Sequence, residues 1–371
     1  MSLRPLRNIH KCLLSTTSRL VGEFEMDGAL LAHAWPDTRD RHASARWTEG
    51  PASRSAFIFS FRTEDVPVKS GPVPNYSPMG EMICGYLAVL FGKRFDHHGL
   101  IEGSGFFQLP DLADFGHLCR HNLPHNSHKV RPDFAIQLDL AEVARLKPLL
   151  EGNTVDHRFL RSFQTCTKFY LQALQIVERD PEVAYLNLIT SIEVLSNFYQ
   201  YEKNDLLDAE TLMALQQIET QLPDGAKVAG LFRSKLLQIK RRFLKTVLAL
   251  VDDDFFTRSE SSNPLFGLEK ESFEKCMAAA YDLRSRYVHT GVPFGSWVSS
   301  GIGGQDSEVQ VGTPVVEQDR ELGNLIGRAP TFVGLERVTR YVLLRSAAEQ
   351  AAYVTQKSVS PDGLALAESV G

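Results

Sequence analysis

The chain is poor in cysteine: five are scattered over 371 residues, and no two of them form a C-x-x-C pair. A sparse, odd number of cysteines is typical of a reducing compartment, so we expect free thiols and no disulfide framework. The sequence also lacks an apolar run long enough to cross a bilayer and the continuous apolar core of a secretory signal. These absences predict a cytoplasmic protein without membrane association.

The N-terminal segment leaves one alternative open. Residues 1–21 contain Arg4, Arg7, Lys11 and Arg19, and no acidic residue precedes Glu23. This composition also suits a mitochondrial transit peptide, although an ordinary basic N-terminal segment is the favoured interpretation.

The chain also lacks an excess of positive charge. Forty Lys and Arg residues stand against forty-five Asp and Glu, which gives a net charge of -5. Histone-like binding is therefore not expected, and any contact with an anionic polymer must come from a local patch. Hydrophobic residues make up 43% and charged residues 23%, as in ordinary globular proteins, and the length favours two domains.

The first 150 residues show short alternating apolar segments that predict strands at 19–26, 30–35, 56–61, 105–109 and 134–138. One longer apolar stretch, 79–91, predicts a helix.

From residue 157 the pattern changes to apolar residues spaced by three and four, which predicts helices at 157–178, from 181, after 225, at 270–288 and at 333–354. The predicted fold class is α+β: a β-rich or mixed sensing or regulatory domain over 1–150, then an all-α helical bundle over 151–371 with a Gly- and Ser-rich loop at 295–313.

Several familiar motifs are absent. The stretch from Gly85 to Arg94 has the wrong glycine spacing for a phosphate loop, and Asp306 occupies the last glycine position of a dinucleotide fingerprint. We therefore predict no cofactor. The stretch containing His117, Cys119, His121, His125 and His128 has zinc-ligand composition but no standard spacing, so a structural or surface role is favoured and no metal site is predicted.

The chemistry-bearing motif lies at the end of the helix predicted for 270–288. It reads AYDLRSRYVHTG over 280–291, with Arg284, the small polar Ser285 and His289. This spacing resembles the R-x(4-6)-H motif of HEPN-domain proteins, and LRSRYVHTG is similar to the Apea-like branch of that family. The resemblance covers roughly the last 200 residues, on the helical pattern described above.

The spacing alone is not specific, because Arg4 with His10 and Arg120 with His125 satisfy it as well. Only Arg284 follows an apolar helical stripe, where an arginine needs a partner or must face a cleft. Glu193 on the helix predicted from 181 is the predicted partner, with a surface carboxylate as an equally open alternative. We further expect the helix stop after His289 to let this histidine turn back toward Arg284.

The residue types then suggest a reaction. His289 can accept or donate a proton near neutral pH, and the fork-shaped guanidinium of Arg284 matches phosphate oxygens. RNA carries its own nucleophile, the 2'-OH, so these groups predict metal-independent cleavage to a 2',3'-cyclic phosphate and a 5'-OH. Ser285 would orient the histidine or bind the phosphate, and Glu193 would hold Arg284.

The resemblance implies more than the residues do. It implies that two motifs meet in a homodimer or higher homo-oligomer, and that the protein is an endoribonuclease acting as an effector in anti-phage or abortive-infection defence. A phage-derived or toxin–antitoxin-type regulatory partner belongs to the same expectation. The alternative is a non-catalytic HEPN module that binds RNA, a nucleotide or a protein.

A second feature is a stretch without acidic residues after residue 225. It contains Lys227, Arg233, Lys235, Lys240, Arg241, Arg242 and Lys245, off the apolar stripe. We predict RNA-backbone contacts from Arg233, Lys240, Arg241 and Lys245, although the solvated face of an amphipathic helix is the favoured alternative.

Overall fold

The computed structural model describes residues 7–34, 54–64, 75–103, 105–113, 118–235, 239–299, 306–317 and 319–354. Within this part of the chain, an antiparallel sheet comes first and helices follow. The α+β class predicted from the sequence is confirmed at this level.

The sheet contains β1 (Arg7–Thr16), β2 (Phe24–Met26), β3 (Ala29–His33), β4 (Ser55–Glu64), β5 (Phe95–Gly103) and β6 (Phe106–Phe107). Its order is β2-β3-β4-β1-β5-β6, and every neighbouring pair is antiparallel. Cys12 lies opposite Phe59 and Leu14 opposite Phe57, and all four are buried. Because side chains alternate along a strand, these residues define one apolar face.

The helices are α1 (Ser77–Phe91), α2 (Lys147–Glu151), α3 (His157–Ile176), α4 (Pro181–Ser196), α5 (Ala209–Gln221), α6 (Gly225–Lys235), α7 (Ile239–Leu250), α8 (Asp253–Phe256), α9 (Lys270–Thr290), α10 (Arg320–Arg328) and α11 (Phe332–Glu349). Short 3-10 segments lie at Leu140–Leu146, Lys203–Leu206, Pro264–Phe266 and Gly295–Val298. As predicted, α4 begins with Pro181 in its first turn, and the Asp180 side chain accepts a hydrogen bond from the Val183 amide.

Helix α1 joins the sheet to the helices. It packs against β1 and β5 on one side and against α3 on the other. Gly85 permits a close approach, since a Cβ atom there would lie 3.0 Å from the Thr167 hydroxyl. A continuous buried cluster runs from Cys12 to Tyr353, so the segments before and after residue 150 share one hydrophobic core. The domain boundary at 150 remains a prediction.

The strand predictions need correction at several places, and of the strand predicted over 19–26 only Phe24–Met26 is one. Strands β1 and β5 were not expected, and β1 occupies the middle of the sheet between β4 and β5. The strand predicted over 134–138 is wrong. Every second residue, Phe134, Ile136 and Leu138, packs against the core, which explains the alternating pattern, but the Ile136 amide donates to the Phe134 carbonyl within the segment. Trp35, the end of the strand predicted over 30–35, lies outside the described residues.

In the described ranges, no helix combines the length and apolarity that a membrane crossing requires.

Candidate functional site

Helix α9 positions the motif residues. Its buried face carries Phe273, Met277 and Ala280, which anchor the helix to the core. The helix continues through Thr290 and ends at Gly291, which has a φ of 68° and whose amide bonds to the Tyr287 carbonyl. Glycine adopts this left-handed conformation without the steric penalty of a Cβ atom, which explains the stop.

Arg284 is held by an ion pair across two helices. Its Nη2 lies 3.0 Å from Oε2 of Glu193 on α4, which confirms the predicted partnership. The Arg284 side chain is 24% exposed and that of Glu193 is 10% exposed. The guanidinium also lies 5.9 Å from the ring centre of Tyr281, one turn earlier on α9. Burial raises the pKa of Tyr281 to about 12, and Glu193 contributes to this shift. The arginine is therefore fixed, but one side of it faces solvent.

His289 does not turn back toward Arg284, so that expectation is wrong. The helix ends after Thr290, and His289 is still helical and exposed in the last turn. Residues five apart on a helix point about 140° away from each other. Within one chain, the two side chains therefore leave α9 on different faces.

Ser285 and His289 are four residues apart and lie on one face of α9. Arg284 and Val288 share the adjacent face by the same spacing, and Val288 is 53% exposed. The sequence prediction that Ser285 orients the histidine is compatible with this placement, while the catalytic roles of all four predicted residues remain predictions.

The predicted RNA-binding residues lie on α6 and α7, and residues 236–238 between these helices lie outside the described part of the chain. Lys240 lies 2.6 Å from Asp282, Arg241 2.9 Å from Asp208, and Lys245 3.1 Å from Asp205. Aspartates from other segments therefore pair with three of the predicted RNA-binding cations. The Arg233 side chain lies outside the described residues, and the RNA-binding role remains a prediction.

The histidine-rich stretch is partly integrated into the core. Cys119 Sγ lies 3.5 Å from His121 Nε2, and His128 Nδ1 accepts the Arg19 amide. His125 is fully buried, and burial followed by nearby cations lowers its pKa well below the ordinary value. In the ranges that the structure describes, no three side chains of metal-ligating type are grouped to hold an ion. His117 lies outside those ranges.

Sequence reasoning missed a buried ionic cluster around α11. Glu336 on this helix receives Arg131 Nη1 at 3.0 Å, Arg131 Nη2 at 2.5 Å and the Tyr170 hydroxyl. Arg131 also pairs with Glu260 and donates to the Gly92 carbonyl. Thus one guanidinium connects the end of α1 with α11 and with a loop after α8.

Arg340 lies one turn further along α11 and also connects this helix to the end of α1. It pairs with Asp133, and it donates to the carbonyls of Val89 and Leu90 at the end of α1. Both Arg340 and Asp133 have side-chain exposures of 0%. A cation at these last carbonyls stabilises the helix end, because the unsatisfied carbonyl groups there are electronegative.

Arg337 completes the cluster. Its guanidinium lies 3.7 Å from the ring centre of Phe255 and pairs with the buried Glu308 at 2.8 Å. Glu308 in turn accepts the amides of Glu260 and Leu268. Charged residues at 336, 337 and 340 within an apolar helix require buried partners. The same reasoning identified Glu193 as the partner of Arg284, so the sequence did contain a signal of this cluster.

With this geometry established, comparison with known proteins gives no guide to function: no family model, no curated protein and no solved structure matches the chain.

Proposed function

We propose that the protein is an endoribonuclease of the Apea-like HEPN type, which cleaves RNA through attack by its 2'-OH. The observation that supports this proposal is the Arg284–Glu193 pair. It holds a partly exposed guanidinium at the surface of the helical half, five residues before an exposed histidine in the last turn of α9.

Each residue then has a defined task. His289 takes the proton from the 2'-OH or protonates the leaving 5'-oxygen, while Arg284 stabilises the charge on the phosphorane oxygens. The P–O bond to the 2'-oxygen forms as the bond to the 5'-oxygen breaks, which yields a 2',3'-cyclic phosphate and a 5'-OH. No metal participates in this mechanism. Glu193 and Ser285 keep the arginine and the histidine oriented.

The angular separation on α9 favours a site formed by two copies. Because Arg284 and His289 leave the helix about 140° apart, one chain presents only one of them to a given phosphate. An isologous dimer brings the arginine of one copy beside the histidine of the other. The half-exposed Val288, on the Arg284 face, supplies apolar surface for such a contact. We extend the proposal to a defence effector that is held inactive until triggered.

The test is cleavage of a mixed RNA pool by purified protein in EDTA, with analysis of the fragment ends. We expect fragments that end in a 2',3'-cyclic phosphate. His289→Ala should reduce the rate of cleavage by about a hundredfold or more, because general acid–base catalysis typically contributes a factor of this size. His157→Ala is the matched control, because it removes another exposed helical histidine. Activity that requires a divalent ion, or full activity in His289→Ala, would contradict the mechanism.

One observation favours a second candidate, a non-catalytic module that binds RNA, a nucleotide or a protein. Glu193 already neutralises Arg284, so a phosphate must compete with a carboxylate for the guanidinium. RNA retention without cleavage, together with a strict monomer in solution at micromolar concentration, would support this alternative.

A further inference from the structure

The sheet ends in a short hairpin, which β6 forms with the end of β5. Phe107 on β6 lies opposite Glu102 on β5, and the turn before β6 contains Gly105, whose φ of 84° suits a tight hairpin connection. In the described ranges, no further strand pairs with the outer side of β6. The hairpin is therefore an open edge of the sheet, and such an edge is a template for pairing with another strand.

This edge also exposes large apolar side chains. Phe106 is 75% exposed, Phe107 82%, Leu109 96% and Leu112 52%. At full areas of about 200 Å² for a phenylalanine and about 100 Å² for a leucine side chain, these four residues expose roughly 450 Å² of apolar surface. A standard interface takes about 800 Å² from each partner, and somewhat more than half of that area is apolar. The exposed apolar surface therefore matches one side of such an interface.

The backbone of the hairpin is oriented for pairing as well. The Gln108 amide donates to the Ile101 carbonyl on β5. Because backbone groups alternate along an antiparallel strand, the amide and the carbonyl of Phe107 point away from β5. A strand that lies beside β6 can therefore exchange hydrogen bonds with Phe107.

The charges near this edge distinguish between a membrane and a protein as its partner. Residues 100–118 contain Glu102, Asp111 and Asp114 but no Lys or Arg, and Lys11 on β1 pairs with Glu102. An apolar segment that inserts at a membrane surface normally has basic residues beside it, which attract anionic headgroups. The acidic surroundings therefore favour an apolar protein surface over a bilayer.

We propose that this hairpin edge, residues 105–112, binds a second copy of the chain through antiparallel pairing of the two β6 strands. A two-fold axis at Phe107 places this residue opposite its copy, and Phe106 opposite Gln108. The two Phe107 rings then form a cross-strand aromatic pair, and the sheet continues from one copy into the other. A copy supplies an edge of the same area and the same apolar character, as an isologous contact requires.

This contact goes beyond the proposed ribonuclease function and does not depend on it. Arg284, Glu193 and His289 belong to the helical half, and none of them lies in the hairpin edge. If the chain also forms a dimer through α9, the two isologous contacts together build a tetramer or a larger assembly.

Sedimentation equilibrium of the full-length protein at micromolar concentration tests the proposal. Phe107→Glu and Phe107→Lys each place like charges opposite each other, so we expect at least about tenfold weaker self-association through this edge. An equal mixture of the two variants places opposite charges at the same point and should associate again. Leu265→Glu is the matched control, because it adds the same charge at an apolar residue that is 79% exposed outside the edge.

The outcomes separate this proposal from the ribonuclease proposal. Val288→Asp probes the contact near Arg284 and should leave the effect of charge at residue 107 unchanged. A monomeric unmodified chain, unchanged self-association in Phe107→Glu, or no recovery in the mixture would overturn the pairing of β6 strands. Co-sedimentation with phosphatidylcholine–phosphatidylserine vesicles that is lost in Phe107→Glu would also overturn it, because the edge would then bind a bilayer.

Discussion

Two groups of ion pairs in this protein join the same residue types, but the group around α11 is buried and the group beside α9 is exposed to solvent. Around α11, the Arg340–Asp133 pair has side-chain exposures of 0% and 0%. Beside α9, the Lys240–Asp282 pair has exposures of 39% and 38%. Both are short contacts between a cation and a carboxylate, so distance alone does not distinguish their roles.

Burial decides what each pair can do. In a dry interior the loss of one partner leaves an uncompensated charge, whereas at the surface water replaces the lost partner. The α11 cluster is therefore a structural junction that joins the end of α1 to the helical half. Solvent reaches both partners of the surface pairs, so other ions can compete with the carboxylate there. Arg284 is intermediate at 24% exposure, because a nearly buried Glu193 holds it while solvent reaches it.

The sharpest test of this comparison is Arg340→Met. It leaves Asp133 without its main cation and removes donors from the carbonyls of Val89 and Leu90. We expect the free energy of unfolding in urea to fall by about 3–5 kcal/mol. Lys240→Met is the matched control, with an expected loss of about 1 kcal/mol or less because its pair is exposed. Equal losses in the two variants would remove the distinction between the groups.

Local patterns predicted the order of the fold. Apolar spacing by three and four identified the helical half, and the Asp180-Pro181 cap placed the start of α4. Strand β1 was missed because its basic and polar residues suit a surface segment. Its hydroxyls find partners far along the chain: the Ser15 hydroxyl bonds to the His98 ring on β5, and the Thr16 hydroxyl donates to the Arg94 carbonyl. Such partners leave no trace in a short sequence window.

The candidate site shows the same limit. An arginine in an apolar stripe requires a partner, and this reasoning correctly identified Glu193 for Arg284. The geometry at His289 was not predictable in this way, because the end of a helix is uncertain by one or two residues and Gly291 places it just after the histidine. The buried cluster was missed because Asp133 and Arg340 are 207 residues apart.

A smaller effect should appear in the pH dependence of the buried region. Burial, Arg131, Arg94 and Lys93 lower the pKa of His125 below its ordinary value of 6.5. Below about pH 6.5 the unfolded chain therefore binds a proton that the folded chain does not, and stability falls as the pH falls. One such histidine changes the free energy of unfolding by about 1.4 kcal/mol per pH unit in this range.

His125→Phe should remove that contribution, and urea unfolding at several pH values between 8 and 5.5 measures it. The His125 ring packs edge-on against Phe332, so the substitution can also change the packing. The free energy of unfolding at pH 8 measures that packing effect separately. His10 and His97 also have pKa values lowered by burial, so part of the pH dependence should remain. An unchanged slope in His125→Phe would mean that this histidine is not kept neutral by the fold.

The smallest expected effects concern the exposed pairs themselves. If RNA phosphates displace Asp208 and Asp205 from Arg241 and Lys245, then Arg241→Gln with Lys245→Gln should lower the salt slope of RNA binding by about one unit per lost contact. Asp208→Asn with Asp205→Asn is the informative counterpart, since it frees both cations and should strengthen binding at low salt. Exposed pairs contribute little to stability because water replaces a lost partner, so folding should hardly change. If neither double variant alters RNA affinity or its salt dependence, these side chains are a solvated helix face, and RNA contacts must come from elsewhere on the protein.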